Sequence, residues 1–209
     1  MNTIDSATLK VEFRVTPFAS THTDRRRINP NVDRNLIEQS QLLHKALEAA
    51  IFLNLHPRTC ISVTVYILSE DGGRLTAGIN AASLACIDAG IEMRDVLCAC
   101  SVGFVDSSSM TGDDDTPSID LNARELQSLG GEGTTSCIHM PIATLPQRDT
   151  VVLAQCDSRM PNLKMLEKLI EEGMEGCRQV FALMEASIRE HVGQVVAAKN
   201  GNARVLLRE

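Results

Sequence analysis

The segment from Ile61 to Gly90 admits few folds. Ile61-Ser62-Val63-Thr64-Val65-Tyr66-Ile67-Leu68 is a β-branched run of the kind that forms a strand. Asp71-Gly72-Gly73 is a turn, and the small-residue stretch that follows, through Ile79, Ala82 and Leu84, reads as a helix closed by Gly90. A strand, a double-glycine turn and a helix N-terminus together make a natural anion site. The unpaired N–H groups of the first helical turn and the helix dipole both favour negative charge there. Backbone geometry alone also explains the glycines, because such a junction needs residues that tolerate positive φ. The motif is neither a P-loop nor a dinucleotide fingerprint, since the glycine spacing and the Lys-Ser/Thr pair are missing.

On either side the pattern alternates between strand and helix. Ala7 to Val15 is a short alternating strand, and residues 17–33 form a polar loop containing Arg25-Arg26-Arg27. Asp33 caps a helix through about Asn54, with Leu36, Leu43, Leu47, Ala50 and Ile51 on one stripe. Val96 to Val105 is a near-continuous apolar run and so a central strand. Residues 106–118 are an acidic, soluble loop, read as solvated rather than metal-binding. Residues 136–145 and 150–157 form a hairpin across Pro146-Gln147-Arg148-Asp149, and Pro161 opens a long helix. Its inner stripe holds Leu166, Ile170, Gly173, Cys177, Val180, Met184 and Ile188. The order predicts an α/β (α+β) domain of βαβα type, a mixed β-sheet covered by helices, over residues 1–209.

Apolar residues make up 44 % of the chain, aromatics 3 %, and Trp is absent, so the core is aliphatic. A net charge of −7 argues against a protein that coats nucleic acid unaided. The 7 cysteines include no CxxC pair, which points away from zinc and from dithiol redox motifs. Cys98 and Cys100 fall on one face of a strand and belong in the core. Thiols of this kind fit a reducing compartment, and the chain shows neither a signal peptide nor a long apolar segment, so no membrane association is expected.

His56-Pro57-Arg58, Asp71-Gly72-Gly73, Asn80-Ala81-Ala82, Asp88-Ala89-Gly90-Ile91, Met93-Arg94-Asp95 and Cys98 to Asp106 occur in a specific order. That ordered set, from about Ala7 to about His191, resembles the RNase PH family, and within it the ring subunits of the eukaryotic RNA exosome. The resemblance implies the RNase PH fold. It also implies partners: other RNase PH-like subunits in a hetero-hexameric ring, cap subunits, a catalytic exoribonuclease and single-stranded RNA. The implied locations are the nucleus, the nucleolus and the cytoplasm. Two subunit types share these features; Met93 to Asp106 favours one, and Ala7 to Val11 also resembles the other. The family begins with further strands ahead of the region matched by Ala7 to Val15, so the chain is expected to be N-terminally incomplete, with an uncovered sheet edge.

Active family members use inorganic phosphate to cleave RNA from its 3′ end, which requires an anion cradle, a cation and a general acid. No other cofactor and no metal is implied. The family pattern has Ser or Thr and then Arg after the double glycine; here Arg74 and Leu75 stand there, followed by the matching Thr76. Arg74 thus lies one residue early, a rotation of about 100° on a helix. The family's Asp-Leu-x-x-x-Glu-Asp segment is matched from Asp120 to Leu126, which keeps Asp120 and Glu125. Leu126 replaces the aspartate that the resemblance casts as general acid, and leucine has no proton to donate. The expectation is a vestigial site comprising Gly72, Gly73, Arg74, Leu75, Thr76, Asp120, Glu125 and Leu126, in a non-catalytic ring subunit. The alternatives are an active phosphorolytic exoribonuclease and the sister ring subunit. Arg25, Arg26 and Arg27 match a basic loop that faces the RNA channel in the family.

Overall fold

The computed structural model describes residues 6–19, 33–104, 117–128, 138–156 and 162–206, with 126–128 and 200–206 as backbone only. Two strands pair in parallel. β1 (Thr8–Val15) runs beside β2 (Cys60–Ile67) in a register that matches Thr8 to Cys60 and Val15 to Ile67. The crossover between them is α1 (Arg34–Ala50), as parallel pairing demands. Asp33 caps α1 by accepting a hydrogen bond from the Asn35 N–H. Leu36, Leu43, Leu47, Ala50 and Ile51 are all buried, which is the stripe that the helical period predicts. The helix stops at Ala50 rather than near Asn54. Ile51 is extended and bridges Met93, and the Phe52 N–H donates to the Glu92 carbonyl, so the chain leaves the helical path to make strand-like bonds.

After β2 comes α2 (Arg74–Asp88), and then an antiparallel sheet in the order β4-β3-β5-β6. Its strands are β3 (Cys98–Phe104), β4 (Ser118–Ile119), β5 (Ile138–Leu145) and β6 (Thr150–Ala154). The mixed character of the fold therefore resides in two sheets, a parallel pair and an antiparallel four. Ser118 pairs with Gly103, so this end of the expected acidic loop is strand; residues 105–116 lie outside the described residues. The β5–β6 hairpin forms as predicted, with a short 3-10 turn at Pro146–Arg148. Between β4 and β5 lies α3 (Ala123–Ser128), and α4 (Leu163–Leu206) closes the fold.

β3 is the central strand, and all of its residues are buried. Its alternation divides the core. Leu97, at its entrance, and Ala99 join the cluster of α1, α2 and the parallel pair, including Phe13, Leu47 and Ile79. Cys98, Cys100, Val102 and Phe104 point the other way, into the cluster that α4 covers with Leu169, Cys177 and Met184. Cys98 and Cys100 thus share a buried face, as the strand period requires. Leu169, outside the stripe predicted for α4, is fully buried, whereas Leu166 and Ile170 are only half-buried. The helix is rotated slightly from the predicted face because Gly173 and Gly176 seat it directly on the strands. A Cβ at Gly173 would lie 2.7 Å from Ile142 Cγ2.

Candidate functional site

The turn between β2 and α2 takes its shape from its glycines. Gly72 has φ 98° and Gly73 has φ 52°, and Gly73 is the N-cap of α2 with no side chain capping it. At Gly72 a Cβ would lie 2.5 Å from the Leu121 carbonyl oxygen, so the turn packs directly against the backbone that follows β4. The Ala123 N–H donates to the Asp71 carbonyl at 2.9 Å, and the Asp120 N–H donates to the Ser101 carbonyl at 2.8 Å. These bonds stitch the turn, the Asp120 segment and β3 into one unit. Asp120 holds φ 59°, a left-handed conformation that aspartate tolerates better than most side chains.

Three side-chain oxygens converge on the turn. Measured from the Cβ position at Gly73, Thr76 Oγ1 lies at 3.2 Å, Asp120 Oδ1 at 3.5 Å and Ser101 Oγ at 3.6 Å. Thr76 Oγ1 donates to the Gly73 carbonyl at 2.6 Å. Ser101 is fully buried, and its hydroxyl has no hydrogen-bond partner among the described residues. Asn80, one turn further along α2, grips the edge of β3. Its Nδ2 donates to the Ala99 carbonyl at 2.8 Å and its Oδ1 accepts from the Ala99 N–H at 2.7 Å. Asn80→Ala leaves both backbone groups unpaired and is expected to destabilise the chain by about 2–4 kcal/mol, read from the urea unfolding midpoint.

Among the described residues, the charges around the turn are mostly negative. One cleft of 420 Å³ includes Asp71, Gly72, Asp120 and Cys100 in its wall and has neither Lys nor Arg among its described lining residues. A second, of 340 Å³, holds Arg74 together with Glu38 and Glu70. Arg74 Nη1 lies 3.3 Å from Glu70 Oε1, so this guanidinium beside the turn is already shared with a carboxylate. The Leu75 side chain is buried and belongs to the aliphatic core cluster that α1 and Phe13 share, at the inner wall of this cleft. Arg74 and Leu75 therefore place no free cation over the helix N-terminus, where a phosphate dianion would sit beside Asp120.

Gly72, Gly73, Thr76 and Asp120 come together as the sequence suggests. Glu125 does something else: its Oε2 accepts from the Asn122 N–H at 2.8 Å while Asn122 Oδ1 accepts from the Glu125 N–H at 2.9 Å. This reciprocal pair is a capping arrangement that starts α3. Leu126 lies in α3, where the structure gives backbone only, and Arg25, Arg26 and Arg27 lie outside the described residues. Ser101 and Glu70 were missed as parts of the site. The signals available were a lone hydroxyl inside the apolar run of β3 and the i, i+4 spacing of Glu70 and Arg74.

A parallel β-α-β crossover, a helix N-terminus over a double-glycine turn and an aspartate facing that turn define an α/β domain built round an anion cradle. The family model described as "3' exoribonuclease family, domain 1" (RNase_PH) matches residues 1–92. Exosome complex component RRP41 of Homo sapiens is 36 % identical over 174 residues, covering 83 % of this chain and 64 % of that protein. Exosome complex component Rrp41 of Thermococcus kodakarensis is 32 % identical over 198 residues, covering 95 % of this chain and 72 % of that protein. The chain belongs to the RNase PH family, and it spans 64 % of the length of the human relative. Solved structures share the fold. Rice Rrp46 superposes with a TM-score of 0.68 at 18 % identity, covering 90 % of this chain and 75 % of that one. An Archaeoglobus fulgidus exosome structure with RNA bound to the active site gives 0.64 at 18 % identity, covering 87 % and 72 %.

Proposed function

We propose that this chain is a non-catalytic RNase PH-like ring subunit of the RNA exosome, of the Rrp41 type. It supports 3′-to-5′ RNA processing and degradation, including rRNA processing and mRNA turnover, by completing the ring and guiding single-stranded RNA. Its partners are the other RNase PH-like subunits of a hetero-hexameric ring, the cap subunits and a separate catalytic exoribonuclease. Its locations are the nucleus, nucleolus and cytoplasm. The observation that carries the non-catalytic reading is the pair of leucines. Leu75 fills core space where the family pattern has its phosphate arginine. Leu126 stands where the pattern has its general acid. Losing a charge-stabilising group or a general acid commonly lowers a rate by orders of magnitude, and losing both leaves little phosphorolysis.

Two observations favour the active alternative: Asp120 still faces the turn, and Arg74 still lines the adjoining cleft. Incubation of the full chain with single-stranded RNA and inorganic phosphate separates the two readings. The expected result is no nucleoside diphosphate above a protein-free blank. Release that disappears in Asp120→Ala would establish an active site. The sister-subunit reading, of the Rrp46 type, draws on the segment Ala7 to Val11. Crosslinking in the native complex separates it, because each ring subunit has its own pair of neighbours.

A further inference from the structure

The core face of β3 and the inner face of α4 bring two sulfurs together. Cys100 Sγ and Cys177 Sγ lie 3.7 Å apart, and Cys100 Sγ also donates to the Gly173 carbonyl at 3.1 Å. Glycines set this approach. A Cβ at Gly176 would stand 2.8 Å from Cys100 Sγ, so the helix backbone itself lies against the strand. A disulfide between them requires this gap to close to about 2.05 Å. The pair is also reachable: Cys100 forms part of the 420 Å³ cleft beside Asp120, whereas Cys177 is fully buried behind it. Cys98, two residues away on the same face, is turned to Met184 Sδ at 3.7 Å instead.

We propose that Cys100 and Cys177 are a redox-modification site, converted to an intramolecular disulfide by hydrogen peroxide that enters through the cleft. The Cys100 sulfur attacks the peroxide oxygen; an S–O bond forms, the O–O bond breaks, and the first water leaves with the thiol proton. Cys177 sulfur then attacks the sulfenic sulfur; the S–S bond forms, the S–O bond breaks, and the hydroxyl departs as a second water with the Cys177 proton. Two thiols are oxidised by two electrons and one peroxide is reduced to two waters. The close contact with Cys177, together with burial, pushes Cys100 up, so the first step is slow and takes excess peroxide. Burial pushes Cys98 up to about 12, which disfavours its thiolate as a competitor.

The bond would join residues 77 apart in sequence and fasten α4 to the strand beneath the glycine turn. The test treats the full chain with excess hydrogen peroxide and maps it by non-reducing peptide mass spectrometry. The expected product has lost two hydrogens, carries a Cys100–Cys177 linked peptide and returns to its starting mass with dithiothreitol. Its melting temperature should rise by on the order of 10 °C over the reduced chain. Cys100→Ala and Cys177→Ala should each abolish the linked peptide, while Cys60→Ser, at an exposed site, leaves it intact. Should a core variant fail to fold, the wild-type peptide map decides alone. Oxygen addition without linkage, linkage through any other cysteine, or two unreacted thiols at these positions would overturn the proposal.

Discussion

Gly72→Ala is expected to lower the stability of the chain by about 3 kcal/mol, most of it from packing rather than from the backbone dihedral. At φ 98° an alanine is strained. Its methyl would also sit 2.5 Å from the Leu121 carbonyl and 3.3 Å from the Ala123 nitrogen, both of them backbone atoms with no rotamer to escape into. Relief must come from pulling the Leu121–Ala123 segment off the turn, which breaks the Ala123 to Asp71 hydrogen bond and swings Asp120 away from Gly73. Gly90 supplies the control. Its φ is 70°, but nothing lies within 4 Å of its Cβ position, so Gly90→Ala should lose only about 1 kcal/mol. Urea unfolding of the two variants beside the parent measures both. Equal losses would show that the dihedral alone governs the turn and that its contact with Leu121 contributes nothing.

That contrast also shows where sequence reasoning reaches and where it stops. The helical period identified the buried face of α1 residue by residue, because the stripe is a local property and Leu36, Leu43 and Leu47 need only the 3.6-residue repeat to line up. The apolar run of β3 announced a central strand for the same reason. The division into a parallel pair and an antiparallel four could not be read, since strand pairing depends on contacts distant in sequence. β4 is a two-residue strand that exists only because Gly103 and Val102 pair with it. α3 was legible after all: Asn122 and Glu125 carry the reciprocal spacing of a capping box, but the acidic pair drew the reading toward chemistry.

Within the site, the glycines and Asp120 were legible because their residue types are tied to backbone conformation or to charge. The environment of the turn was not. The buried Ser101 hydroxyl, the capture of Arg74 by Glu70 and the burial of Leu75 in the core all depend on which elements meet at β3. The contacts that shape the cradle, namely the Gly72 approach to Leu121 and the Asn80 clamp on Ala99, are the same contacts that join the sheets and helices. They persist for stability whether or not phosphate binds.

Replacing Arg25, Arg26 and Arg27 together by alanine is expected to weaken RNA binding by an assembled ring on the order of 100-fold at 0.1 M salt, with ring assembly unchanged. The chain carries a net charge of −7, so a run of three arginines is a local reversal of sign and the natural place for a polyanion to touch it. Guanidinium groups stay charged at any working pH and hold phosphate oxygens without reading bases. Each phosphate contact to a single strand displaces about 0.7 of a counterion, so three contacts steepen the salt dependence of the binding constant by about 2 logarithmic units per decade. The loss should be alike for RNAs of different sequence and should shrink as salt rises. The measurement is RNA affinity of reconstituted rings, parent and triple variant, across a salt series. Parallel slopes with equal affinities would assign the arginines to a solvated surface, and a loss confined to one RNA sequence would mean that they read bases rather than backbone.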